Sequence, residues 1–184
     1  SERIADPQLV LPMLFQLGQF YIEHARLTEA RELAERAAAL AEGVQNQVLE
    51  MGAWHNLAES CFWSGDLKLA RAHAQCSLSL CENLHPEALI RSLGMDFWFI
   101  TTWIIAMTDL LFGLPDQARQ WKRRVAERVV LNSHPLSKAF GMTNSLLVAL
   151  FLDDTTTLSE LIVPARQICD EYGFHELSGW LKQF

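Results

Sequence analysis

The side chains able to do chemistry are scattered along this chain and form no recognisable catalytic set. Six histidines stand at His24, His55, His73, His85, His134 and His175. No two are spaced i, i+4 with a glutamate between them, the arrangement that puts two zinc ligands and a general base on one helix face. His85 and His134 each precede a proline and read as turn residues, a ligand role being the alternative. Cys61, Cys76, Cys81 and Cys169 contain no C-x-x-C pair and read as small buried hydrophobes in a reducing, cytoplasmic compartment, with a disulfide or metal site as the alternative. Asp153 and Asp154 are adjacent carboxylates, but paired acids serve acid–base work only where burial shifts them, and in a loop tip they read as solvated. Arg119, Lys122, Arg123, Arg124 and Arg128 spread over more than one helix face with Glu127 among them, which reads as a solvated outer helix, nucleic-acid or phosphate contact being the alternative. There is no Gly-x-x-x-x-Gly-Lys phosphate loop and no Gly-x-Ser-x-Gly nucleophile elbow. The expectation is a protein that is not an enzyme, with no cofactor and no metal site.

Composition narrows the partners. The 184 residues are 50% hydrophobic with a net charge of −7. An acidic balance disfavours nucleic acid and anionic membrane, both of which call for surplus Lys and Arg. The most apolar run, Phe97 to Thr108, covers 12 residues before Asp109, whereas a membrane span needs about 20.

The elements that must position any site follow from a repeat. Leu14, Leu17, Gly18, Tyr21, Ala30, Ala34 and Ala37 recur 40 positions later as Trp54, Leu57, Ala58, Cys61, Ala70, Ala74 and Ser77. Such a period marks stacked helical hairpins. Apolar spacing predicts a first helix over Pro7–Glu23 containing Pro12, then Thr28 as cap of a helix over Glu29–Glu42 stopped by Gly43. The second hairpin is expected over Val48–Ser64 and Leu67–Glu82 with a Gly65–Asp66 turn. A short helix over Pro86–Leu93 ends at Gly94, and Asp96 caps an apolar helix over Phe97–Phe112. Gly113–Asp116 turn into Gln117–Leu131. The fourth hairpin pairs Leu136–Leu152 with Thr157–Tyr172, which contains Pro164 and ends at Gly173. His175–Phe184 opens another helix with no partner after it, so residues 1–184 read as a single helical repeat domain cut from a longer protein. Small residues at Gly18, Ala30, Ala58, Ala70, Ala106 and Ala118 allow close helix approach, while Trp54 and Tyr21 are expected to fill the space between neighbouring pairs.

These residues resemble the tetratricopeptide (TPR) repeat. Trp54-x2-Leu57-Ala58-x2-Cys61, Gly65-Asp66 and Ala70-x3-Ala74-x2-Ser77 carry the resemblance best; the third unit keeps Ile105-Ala106, Gly113, Ala118 and Val125 but has Thr102 and Asp109 where large side chains are expected. The resemblance implies an all-α, right-handed α-solenoid of about four antiparallel helix hairpins. Gly113–Ala118, His134–Phe140 and Glu171–Phe174 also resemble the C-terminal helical region of large bacterial signalling ATPases, some linked to adenylate or guanylate cyclases or to transcription regulators.

In such solenoids the first helix of each hairpin lines a concave groove. By register that face carries Phe15, Gln19, His55, Asn56, Glu59, Trp63, Trp103 and Met107, with Gln16, Ile22, Phe62, Ile104 and Leu110 beside them. No Lys or Arg is among them, which disfavours capture of an acidic peptide tail. The implied function is a protein–protein interaction scaffold, the regulatory or sensory segment of a bacterial signalling protein, holding a peptide or a partner domain. The alternative is a small-molecule inducer sensor of a transcriptional or cyclase regulator. Leu177, Trp180, Leu181 and Phe184 are expected to be exposed and to offer a homodimer contact.

Overall fold

The computed structural model describes residues 6–41, 44 and 46–184. Among these residues there are ten helices and no strand: α1 (Pro7–Glu23), α2 (Leu27–Ala41), α3 (Gln47–Trp63), α4 (Leu67–Asn83), α5 (Pro86–Leu93), α6 (Trp98–Leu111), α7 (Pro115–Leu131), α8 (Pro135–Phe151), α9 (Thr155–Tyr172) and α10 (His175–Leu181). The chain divides within α6 into two compact units, the first ending at Ile104 and the second starting at Ile105.

One turn geometry recurs five times among the described residues. The amide of Arg26 donates to the Tyr21 carbonyl, Asp66 to Cys61, Leu114 to Asp109, Asp154 to Ala149 and Phe174 to Cys169, at 2.8–2.9 Å. Each is the six-to-one bond of a helix C-cap, and each encloses a residue in the left-handed region. Those residues are Ala25 (φ 54°), Gly65 (φ 82°), Gly113 (φ 76°), Asp153 (φ 55°) and Gly173 (φ 71°). The α1/α2, α3/α4, α6/α7, α8/α9 and α9/α10 connections are therefore one device. Two of the five carry a Cβ at a position that favours glycine.

In unit 1, α1 packs on α2, α2 on α3 and α3 on α4, while α3 also reaches α1. The seam between hairpins is built on Leu11, Ala37, Ala41, Leu49 and Ala53. Ala30, Ala34, Ala37 and Ala41 form a fully buried row on α2, and Ala70, Ala74, Ser77 and Cys81 repeat it on α4. Side chains this small let helix axes come within roughly 8–10 Å. In unit 2, α8 packs on α7 and α9, and α10 packs on both α8 and α9, as α3 does on α1 and α2. Among the described residues the fold is all-α, a succession of helix hairpins.

Several sequence expectations are corrected. Thr28 lies inside α2 and does not cap it; Glu42 and Gly43 lie outside the described residues. Pro115 is a first-turn residue of α7, where its missing N–H costs nothing. The threonines after Asp154 begin α9, and Asp154 is its cap, accepting from the Thr157 amide at 3.1 Å. That carboxylate is not simply solvated: Lys122 of α7 donates to it and to Thr157 Oγ1, so Lys122 is no free outer-face cation either. Trp54 stacks on His73 within its own hairpin, rings 5.5 Å apart. Cys76 is exposed, while the other three cysteines are buried. Leu177 and Leu181 are buried against α8 and α9, whereas Trp180 and Phe184 of the same row are only half-buried.

Asp96 and Asp109 show how polar residues are held in the apolar α6. Asp96 Oδ1 accepts from the Trp98 amide at 3.2 Å and starts the helix after the left-handed Gly94. Asp109, in unit 2, accepts from Trp121 Nε1 at 3.2 Å. Thr102 turns its hydroxyl back onto the Trp98 carbonyl at 2.8 Å. No single described helix is long and apolar enough to cross a membrane.

Candidate interaction site

The α1–α3 contact in unit 1 is polar at its centre. Gln19 Nε2 donates to Asn56 Oδ1 at 2.7 Å and to Glu59 Oε2 at 2.8 Å. Asn56 Nδ2 donates to the Phe15 carbonyl at 2.9 Å. This bond reaches an α1 carbonyl sideways, and it is possible because Gly18 lacks a Cβ: one placed there would overlap the Asn56 amide. His55 completes the arrangement. Its Nδ1 lies 2.9 Å from Thr101 Oγ1. Its Nε2 lies 3.4 Å from Glu59 Oε2, without the alignment of a hydrogen bond.

Glu59 carries the site's charge. Burial pushes its carboxyl upward, but the His55 contact and the donors Gln19 and Trp63 outweigh burial and hold it below the usual glutamate range. The side chain is 13% exposed. An anion is thus kept ionised at the edge of a largely dry contact, where its field is stronger than in water.

Beside it stands an aromatic group. Phe62 meets Trp63 edge-on at 5.2 Å and Trp103 at 5.1 Å, and the two indoles are tilted at 5.9 Å. Trp103 is buried; Trp63 is 47% exposed. On the inner side, Phe97 packs edge-on against Phe15 at 4.9 Å and against His55 at 4.8 Å. Trp63 is therefore a large, exposed surface held against the half-buried Phe62 and the buried Trp103, the usual character of a binding anchor.

The groove residues expected from sequence fall into two sets. Phe15, His55, Asn56 and Trp103 are interior to unit 1, and Met107 is buried on the unit 2 part of α6. Gln19, Glu59 and Trp63 keep accessible surface. The structure brings Phe15, Gln19, His55, Asn56 and Glu59 into one network and joins Trp63 to Trp103. Thr101 and Phe97 support this site and were not singled out by sequence reasoning; a lone threonine pair in an otherwise apolar run was the available signal.

No protein-family model matches the chain, and no curated protein does. Among similar solved structures is a crystal structure of nearly identical TPR-like repeats of a Podospora anserina protein described as a kinesin light chain. It shares 16% identity with a TM-score of 0.39, over 91% of this chain and 97% of that one. An ionised carboxylate and a rigid indole on one face suit a cationic group joined to an apolar one.

Proposed function

We propose that this chain is a non-enzymatic protein–protein interaction module whose unit 1 takes a segment of a partner protein against Trp63 and Glu59. The segment places an apolar side chain on the Trp63 indole and a Lys or Arg beside Glu59. The observation that carries this reading is the exposed Trp63, packed on Phe62 and Trp103 next to a carboxylate that stays ionised. A preset anchor lowers the ordering cost of association. In keeping with the resemblance noted from the sequence, the module serves as the cytoplasmic regulatory or sensory segment of a bacterial signalling protein, with occupancy of the site biasing the parent's output.

The test is binding to an immobilised peptide library, followed by titration of selected peptides. Sequences with a basic residue beside an aliphatic or aromatic one should be retained. Trp63→Ala should abolish their binding, and Glu59→Gln should weaken it and flatten its salt dependence. Unchanged affinity in a folded Trp63→Ala variant, or selection of acidic peptides, would overturn the reading.

A further inference from the structure

Helix α1 has a second apolar face. Opposite its buried row of Leu11, Phe15, Gly18 and Ile22 lie Leu9, Met13, Leu17 and Phe20, exposed at 70, 70, 40 and 47%. No charged residue occurs between Pro7 and Ile22. The 40-residue register says what this face is for. Its counterparts on α3 are Leu49, Ala53, Leu57 and Ser60, at 6, 3, 5 and 0% exposure. On α3, Leu49 and Ala53 pack against the preceding hairpin, in one cluster with Leu11 of α1 and Ala37 and Ala41 of α2. The polar member repeats as well. Asn56 donates across that seam to an α1 carbonyl, and its counterpart Gln16 is exposed on α1.

We propose that this face of α1 docks a helical hairpin of a partner polypeptide, one whose second helix presents a row of alanines as α2 does to α3. Leu9 and Met13 lie across that row, and Gln16 donates to a main-chain carbonyl of the partner's first helix. A second copy of this chain cannot supply α2 for the purpose, since Ala30, Ala34, Ala37 and Ala41 are already buried in its own unit. The surface is distinct from that of Glu59 and Trp63, so the two assignments stand or fall separately.

The probe is the full chain extended at its start by a second copy of residues 6–46, with the methionine of the added copy replaced by leucine. Met13 reports on the face, because the other four methionines are 9% exposed or less. Docking should slow peroxide oxidation of Met13 several-fold, raise the melting temperature and add helical signal in circular dichroism. Leu9→Glu with Met13→Glu in the acceptor helix, both at exposed positions, should cancel the stabilisation while leaving the unextended chain folded. Equal Met13 oxidation rates with and without the added hairpin would overturn the proposal. So would a concentration-dependent dimer of the unextended chain that the double glutamate variant dissolves, because the face would then belong to a second copy.

Discussion

Gly18→Ala separates this packing from ordinary helix behaviour, because local propensity and tertiary contact predict opposite signs. In an open helix interior, alanine is favoured over glycine by about 1 kcal/mol. At Gly18 the new methyl would overlap Asn56 Nδ2 and lie 3.3 Å from its Cγ. Asn56 is 1% exposed, so its amide has to swing away from the Phe15 carbonyl and from Gln19. Overpacking costs about 1–3 kcal/mol, and a buried donor left without its acceptor costs about 1–3 kcal/mol more. Set against the propensity gain, the central expectation is a net loss of about 2–3 kcal/mol, or about 5–10 °C in melting temperature for a chain of this length. Gly179 in α10 is the control: a Cβ there meets nothing within 4 Å, so Gly179→Ala should stabilise by about 0.5–1 kcal/mol. Denaturant titration with a double-mutant cycle completes the assay. In an Asn56→Ala background the Gly18→Ala cost should largely vanish, giving a coupling of about 1–3 kcal/mol. If Gly18→Ala stabilises the protein as Gly179→Ala does, Asn56 does not lie against α1 and the seam described here is wrong.

Other perturbations test the remaining elements. Ala25→Gly relieves a left-handed residue that costs roughly 1–2 kcal/mol in an L-amino acid; after the greater unfolded-state freedom of glycine, it should stabilise by about 0.5–1 kcal/mol in urea unfolding. Thr101→Val keeps the shape but strips His55 Nδ1 of its buried partner, and should destabilise by about 1–3 kcal/mol in the same assay. The Glu59 carboxyl is held below its unfolded value, so the stability it contributes is present above the unfolded glutamate range and is lost as pH falls through the lowered folded value. Melting curves below pH 5 should therefore decline less steeply in Glu59→Gln than in the parent, with Asp154, lowered by Lys122, accounting for part of the residual slope.

The hairpin repeat was legible because packing forces its period. Ala30 and Ala70, or Gly18 and Ala58, must be small wherever two helices cross closely, and that need recurs every hairpin. The turns at Gly65 and Gly113 were legible for a similar reason, glycine being the residue that adopts the left-handed region freely. The turns at Ala25 and Asp153 follow from helix spacing as well, but no glycine marks their left-handed residue, which only the six-to-one bond and the positive φ reveal. For the site, register placed Phe15, Gln19, His55, Asn56, Glu59 and Trp63 on one helix face. It did not say how deep each lies, because the first helices of successive hairpins share that face between packing on each other and facing outward.

Linear order alone thus determined the helical class, the hairpin period and the faces on which polar and aromatic residues gather, since these depend on spacing along one helix at a time. Tertiary structure decided which members of a face are spent: His55 and Asn56 are consumed by α1 and Thr101, Lys122 by a carboxylate 32 residues away, while Glu59 and Trp63 keep an outlet. The physical reason is that burial and ionisation belong to neighbours from other helices, and those neighbours are fixed only when the hairpins close against one another.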